Sequence, residues 1–141
     1  QLKQALIAVG SGGVTGKGIG LSVQKFSYLP EPQGDSIFAV ISEETGFIGS
    51  LVVIILYAAF AMRGLRIASR APDAFGRLLA VGLVIILTAQ SFLNIASILG
   101  LFPLTGVPLV FMSQGGTSLM ISLAAAGMIL NISRFQKRRT A

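Results

Sequence analysis

The chain contains no cysteine and no histidine. Disulfides are therefore excluded, and so is zinc held by Cys and His ligands. Ser-His-Asp and Cys-His nucleophilic catalysis go with them. Any catalysis has to be built from carboxylates, hydroxyls, amides, lysine and arginine. Charge is scarce as well. Asp, Glu, Lys and Arg make up 11% of the 141 residues, where a soluble domain carries about 25%. Hydrophobic residues fill 53% of the chain. This is the composition of an integral membrane protein.

The net charge of +6 raises nucleic acid as a partner, but its placement argues against it. Arg63, Arg66, Arg70 and Arg77 fall between two apolar runs, and Arg134, Lys137, Arg138 and Arg139 fill the tail. This is the positive-inside pattern of cytoplasmic loops. No basic patch is interleaved with aromatics as single-strand binding requires. The chain starts at Gln1 without a signal-peptide pattern, and we expect it to be a piece of a longer polytopic protein.

Hydropathy divides the chain into an all-α, polytopic helix bundle with three transmembrane helices, an extracytoplasmic loop and a re-entrant segment. Residues 1–35 form a Gly-rich extracytoplasmic loop. Spans at 36–62, 78–98 and 117–133 are separated by a basic cytoplasmic loop at 63–77 and an irregular segment at 99–116. Residues 134–141 are a basic cytoplasmic tail. A helix over 36–62 is about 40 Å long, longer than the roughly 30 Å hydrocarbon core, so its first turns stand in the interface or line a cavity. Glu43 and Glu44 fit that position, since neither faces lipid cheaply.

The glycines between Gly10 and Gly20 fail both phosphate-loop patterns. Ser11 stands where a Walker A motif needs its first glycine and Gly18 where it needs Ser or Thr. Thr15 stands at the last position of G-x-G-x-x-G after Gly10 and Gly12. A compact loop using glycine's unusual backbone angles and an anion-binding nest remain as readings. Gln90 and Asn94, four apart, share one helix face, where buried amides serve interhelical hydrogen bonds or line a ligand site. Segment 99–116 is apolar yet holds Pro103, Pro108, Gly100, Gly106, Gly115 and Gly116. Irregular backbone at membrane depth survives only where protein or water satisfies it. The run Ala124-Ala125-Ala126-Gly127 allows a neighbouring helix to approach closely.

Asp35 lies at the mouth of the first span. An ionisable residue at that depth marks a functional site. It also suits the N-cap of the following helix, although position 38 is Phe rather than the Glu or Gln of a capping box.

Three stretches carry a family resemblance. Ser22-Val23-Gln24-Lys25, Tyr28-Leu29-Pro30-Glu31 and the residues through Asp35 to Gly46 resemble the fourth extracytoplasmic loop of the SEDS family (shape, elongation, division, sporulation), nearer its FtsW/SpoVE branch than RodA. Pro103-Leu104-Thr105-Gly106-Val107-Pro108-Leu109 with Ser113-Gln114-Gly115-Gly116-Thr117-Ser118 is similar to the family signature P-L-T-G-[IV]-P-L-P-F-[VI]-S-Y-G-G-[ST]-S, and Leu130-Asn131-Ile132-Ser133-Arg134 is the third match. The chain departs from the family pattern at Gly34, Ser36, Thr45, Val110 and Gln114, where Thr, Phe, Leu, Pro and Tyr are usual.

The resemblance implies a peptidoglycan glycosyltransferase that polymerises lipid II into glycan strands with inversion, during division and septal wall synthesis. It implies Asp35 as general base, activated by partial desolvation. Lys17, Lys25, Glu31, Gln33, Thr105, Ser113, Gly115, Gly116 and Thr117 become candidate substrate-binding residues, with Glu43, Glu44, Gln90 and Asn94 in support. Lys17 and Lys25 are local candidates to stabilise the pyrophosphate; as plain interfacial head groups they would snorkel. The resemblance fixes no cofactor, and Mg²⁺ or Mn²⁺ shared by Asp35 and the pyrophosphate suits mixed oxygen ligation. The implied partners are lipid II, a class B penicillin-binding transpeptidase and other division membrane proteins, in the bacterial inner membrane with the active site outside. The chain matches only the last three of about ten spans, and alone it is expected to be inactive. A lipid-linked precursor transporter and a non-catalytic division scaffold are the alternatives; a transporter needs access from both sides, whereas the polar elements here cluster on one.

Overall fold

The computed structural model describes residues 37–103, 106–113 and 115–135, together with Lys3, Ile7, Gly10, Gly12, Gly13, Val14, Gly16 and Gly18. Three helices account for most of these: α1 (Ile37–Ser69), α2 (Ala74–Ile98) and α3 (Gly116–Arg134). Each is long and apolar enough to cross a membrane, and no strand occurs among the described residues. The expected all-α membrane bundle is what the chain forms.

Helix α1 continues past Met62 through Arg63 and Arg66 to Ser69, seven residues beyond the expected end. Nothing in that stretch breaks a helix until Ala71-Pro72, where the ring of Pro72 disfavours helical backbone at the residue before it. Ser69 Oγ donates to the Arg66 carbonyl at 2.9 Å and closes the last turn. Helix α2 then starts at Ala74, four residues before the expected boundary. Asp73, in extended backbone, is its N-cap, and a carboxylate oxygen accepts the Gly76 N–H at 2.7 Å. That bond satisfies one of the donors a helix start leaves free.

The other end of α2 is closed by a Schellman turn. Gly100 takes φ 75°, its N–H donates to the Ser97 carbonyl at 3.1 Å, and the Leu101 N–H donates to Ala96 at 2.9 Å. The short link from Ser69 to Ala74 makes α1 and α2 antiparallel neighbours. Gly64 of α1 faces Val84 of α2, and a Cβ on Gly64 would overlap the valine methyls. The buried core joins Val53 and Tyr57 of α1, Val84, Leu87 and Ile95 of α2, Leu109 and Val110 of the connecting segment, and Ala125 and Ile129 of α3. Apolar side chains such as Ile55, Leu56, Ile86 and Ile121 face outward, as they do where the surroundings are lipid tails as apolar as leucine.

The segment between α2 and α3 turns back into the bundle. Val107 sits beside Asn94, Pro108 beside Gln90 and Val110 beside Tyr57, so the chain runs back along α2 and reaches the middle of α1. Leu109 and Val110 are fully buried. Three carbonyls that this irregular backbone would leave unpaired are each taken by a side chain. Asn94 Nδ2 donates to Val107 at 2.6 Å, Gln90 Nε2 to Pro108 at 3.3 Å, and the Tyr57 hydroxyl to Val110. Phe111, at φ 65°, packs edge-on against Phe60 with ring centroids 5.6 Å apart.

Tyr57→Phe removes one of these donors and leaves the buried Val110 carbonyl unsatisfied. Such a loss costs about 1–3 kcal/mol. The variant should unfold at lower temperature in detergent micelles than the parent, and an unchanged transition would remove Tyr57 from this role.

Candidate functional site at the break in the first helix

Helix α1 is interrupted at Gly46, whose φ of 69° and ψ of −161° no helix contains. A break frees carbonyls on the side it closes and N–H groups on the side it opens, and at membrane depth these must find partners. The Gly-rich segment supplies them from its own main chain. The Phe47 N–H donates to the Gly13 carbonyl at 2.9 Å and the Ile48 N–H to Val14 at 3.4 Å. In return the Gly18 N–H donates to the Glu44 carbonyl at 3.2 Å. Gly16 N–H to Gly12 carbonyl, 2.8 Å, folds the segment on itself.

This backbone-to-backbone contact explains the glycines. A Cβ on Gly12 would strike the Ser42 carbonyl oxygen, and one on Gly16 would strike the Glu44 carbonyl. Gly16 also sits at φ 78°, a region side chains rarely adopt. Gly12, Gly13 and Val14 form a turn, whereas Lys3, Ile7 and Gly10 before it are helical rather than part of a loop. Ser50 ties the break from the other face, with its Oγ 2.7 Å from Ser42 Oγ and 2.9 Å from the Gly46 carbonyl.

Glu43 is fully buried beside this break, and Glu44 is half-buried. The Oε1 of Glu44 is screened from solvent and has no hydrogen-bond partner among the described residues. A small hollow of about 220 Å³ adjoins the break, lined among others by Gly13, Phe38, Ser42 and Leu99. The C-terminal end of α2 thus meets the broken turn of α1 and the Gly-rich segment at one end of the bundle, where the returning segment begins.

The remaining expected site residues are distributed as follows. Asp35, Lys17, Lys25, Glu31, Gln33 and Thr105 lie outside the described residues; Asp35 precedes the first residue of α1 by two positions. Ser113 is buried, and its Oγ accepts the Gly115 N–H at 3.3 Å. Gly115 is the N-cap of α3 without a side-chain cap, and Gly116 and Thr117 are exposed. Gln90 and Asn94 spend their amide N–H groups on the returning segment. Among the described residues no cluster of three or more acids is positioned to hold a metal ion.

Sequence reasoning passed over Gly46, Tyr57 and the capping role of Asp73. The first two had signals. A lone glycine inside a helical pattern marks a break, and a tyrosine in an apolar run needs a partner for its hydroxyl.

The family model for FtsW, RodA and SpoVE, described as "Cell cycle protein", matches residues 1–138. "Stage V sporulation protein E" of Bacillus subtilis is 49% identical over 137 residues, covering 97% of this chain and 37% of the relative. "Probable peptidoglycan glycosyltransferase FtsW" of the same organism is 45% identical over 137 residues, 97% of this chain and 34% of the relative. Its namesake from Thioalkalivibrio sp. is 50% identical over 137 residues, 95% and 34% respectively. The chain thus spans about a third of the length of these relatives. A match over residues 1–138, with relatives 45–50% identical along nearly the whole chain, means that this membrane protein belongs to the FtsW/RodA/SpoVE family.

Proposed function

We propose that the chain forms part of a peptidoglycan glycosyltransferase that polymerises lipid II during division and septal wall synthesis, with Asp35 as general base. In the step assigned to it, the 4-hydroxyl oxygen of the incoming disaccharide attacks the anomeric carbon of a chain held on undecaprenyl pyrophosphate. The bond to the pyrophosphate oxygen breaks, the configuration inverts, and the hydroxyl proton passes to the Asp35 carboxylate. Lys17 and Lys25, in the same Gly-rich stretch, are proposed to meet the departing pyrophosphate. Glu43 and Glu44 support the loop from the break in α1.

The observation that carries this reading is the placement of the interrupted backbone and the glutamates beside it at one end of the bundle, with the arginines at the other. The broken turn at Gly46, the Gly-rich segment and the end of α2 meet at one end of the bundle. Arg63, Arg66 and Arg70 lie towards the opposite end of α1. Under the positive-inside rule the arginine end is cytoplasmic and the broken end faces outward, where strands are laid down. A transporter would need an open route on both sides. The relatives whose names specify a glycosyltransferase support the same choice. The proposed partners are a class B penicillin-binding transpeptidase, which would cross-link the strands, and other division proteins of the inner membrane.

Lipid II supplied to the whole membrane protein in liposomes tests the assignment. Glycan polymer separable by gel electrophoresis is the expected product. Lipid II that crosses the bilayer and stays monomeric would replace the enzyme with a transporter.

A further inference from the structure

A second cavity lies at the other end of the bundle, between the C-terminal halves of α1 and α3. Its volume is about 560 Å³, more than twice that of the hollow at the helix break. The lining is amphipathic. Phe60, Ile67 and Ile129 form an apolar floor, and Arg63, Arg66 and Arg70 line the same cavity. The arginines recur at intervals of three and four, so one face of α1 carries all three. All three are exposed, and among the described residues no carboxylate lines the cavity.

The described acids, Glu43, Glu44 and Asp73, lie outside this lining. Glu31, Asp35, Glu43 and Glu44 precede the break in α1, and Asp73 is the remaining one. The Asp73 carboxylate accepts the N–H of Gly76 at the start of α2. The cavity therefore has cationic walls whose counter-charge is not supplied by its own lining.

We propose that this cavity is a binding site for an anionic phospholipid of the surrounding bilayer. The phosphodiester head would sit among Arg63, Arg66 and Arg70, with the upper acyl chain along Phe60, Ile67 and Ile129. Guanidinium groups match phosphate oxygens in a two-pronged geometry that ammonium groups lack. Basic pockets between membrane helices take such head groups. A soluble anion would leave the apolar floor unused, and a zwitterionic lipid would leave the charge uncompensated. The site is independent of the glycosyl-transfer reading, because it uses none of the residues assigned to that reaction.

Native mass spectrometry of the full chain in detergent, titrated with phosphatidylglycerol and separately with phosphatidylcholine, tests the site. Phosphatidylglycerol should be retained preferentially. The combined variant R63Q/R66Q/R70Q should lose phosphatidylglycerol affinity on the order of 100-fold, at roughly fivefold per arginine, with phosphatidylcholine unchanged. R77Q, which neutralises an arginine outside the cavity, should behave as the parent. Equal retention of the two lipids overturns the proposal, as does phosphatidylglycerol binding that survives in the triple variant. Displacement by millimolar inorganic phosphate would make it a simple anion site and overturn the lipid assignment. Should the triple variant misfold, the parent still decides the matter. Its phosphatidylglycerol retention must weaken as salt is raised, and salt-indifferent retention counts against the site.

Discussion

Asp35→Asn should depress strand formation from lipid II by 10²–10⁴-fold, the range that a positioned general base contributes. The substitution separates the two roles the sequence allows Asp35. Asparagine caps a helix about as well as aspartate, so a purely capping Asp35 predicts a variant with normal folding and normal turnover. As a base, the amide has the same shape but does not take up the proton of the attacking sugar hydroxyl. Turnover should then fall while lipid II binding, read as KM, moves little, because the loss is confined to the transition state. Asp35→Glu should recover part of the activity, since the carboxylate is kept and only its reach changes. Activity within a few-fold of the parent in Asp35→Asn, measured by polymer yield, would remove the base from this position.

Gly16→Ala should be among the most destabilising single substitutions among the described glycines. At φ 78° an alanine bears left-handed backbone strain of about 1–2 kcal/mol. Its Cβ would also collide with the Glu44 carbonyl and the backbone around Gly46. Backbone on both sides leaves little freedom to yield, and overpacking of this kind costs about 1–3 kcal/mol more. The combined expectation is about 2–5 kcal/mol, read as a lowered unfolding transition in micelles. Gly82→Ala is the matched control: it lies within α2 and has nothing within 4 Å of the added carbon. Removing a helix-interior glycine there should be neutral or stabilising. Equal transitions for Gly16→Ala and Gly82→Ala would show that the backbone clasp around Gly46 contributes little.

Hydropathy and charge made three apolar helices legible in the sequence, because apolar runs of membrane length have few other uses. Both re-entry of the 99–116 segment and its need for internal partners followed from prolines and glycines in an apolar stretch. Gln90 and Asn94 were legible as a polar stripe, but their acceptors were not. Spacing indicates which face a side chain occupies and says nothing of an irregular backbone folded onto that face. The interruption at Gly46 was hidden for a similar reason. The apolar stretches on either side of it, residues 37–41 and 47–62, keep a helical pattern across the polar Ser42-Glu43-Glu44-Thr45, and the partners that satisfy the break lie some thirty residues earlier, at Gly13, Val14 and Gly18. The extra turns through Arg63 and Arg66 were misjudged because arginine was taken as a loop signal, whereas it is a good helix former. For the candidate site, the family motif singled out Asp35, and the described residues supply the frame that follows it.

The returning segment has a mechanical consequence. Tyr57 on one helix and Gln90 and Asn94 on its antiparallel neighbour grip consecutive stretches of a single ribbon, at Val110, Pro108 and Val107. Sliding either helix along the other by even one turn would move it about 5.4 Å, beyond the reach of at least one of these bonds. The two helices and the ribbon are thereby latched as one body, and any large rearrangement during turnover has to pivot around this unit and leave its interior in register.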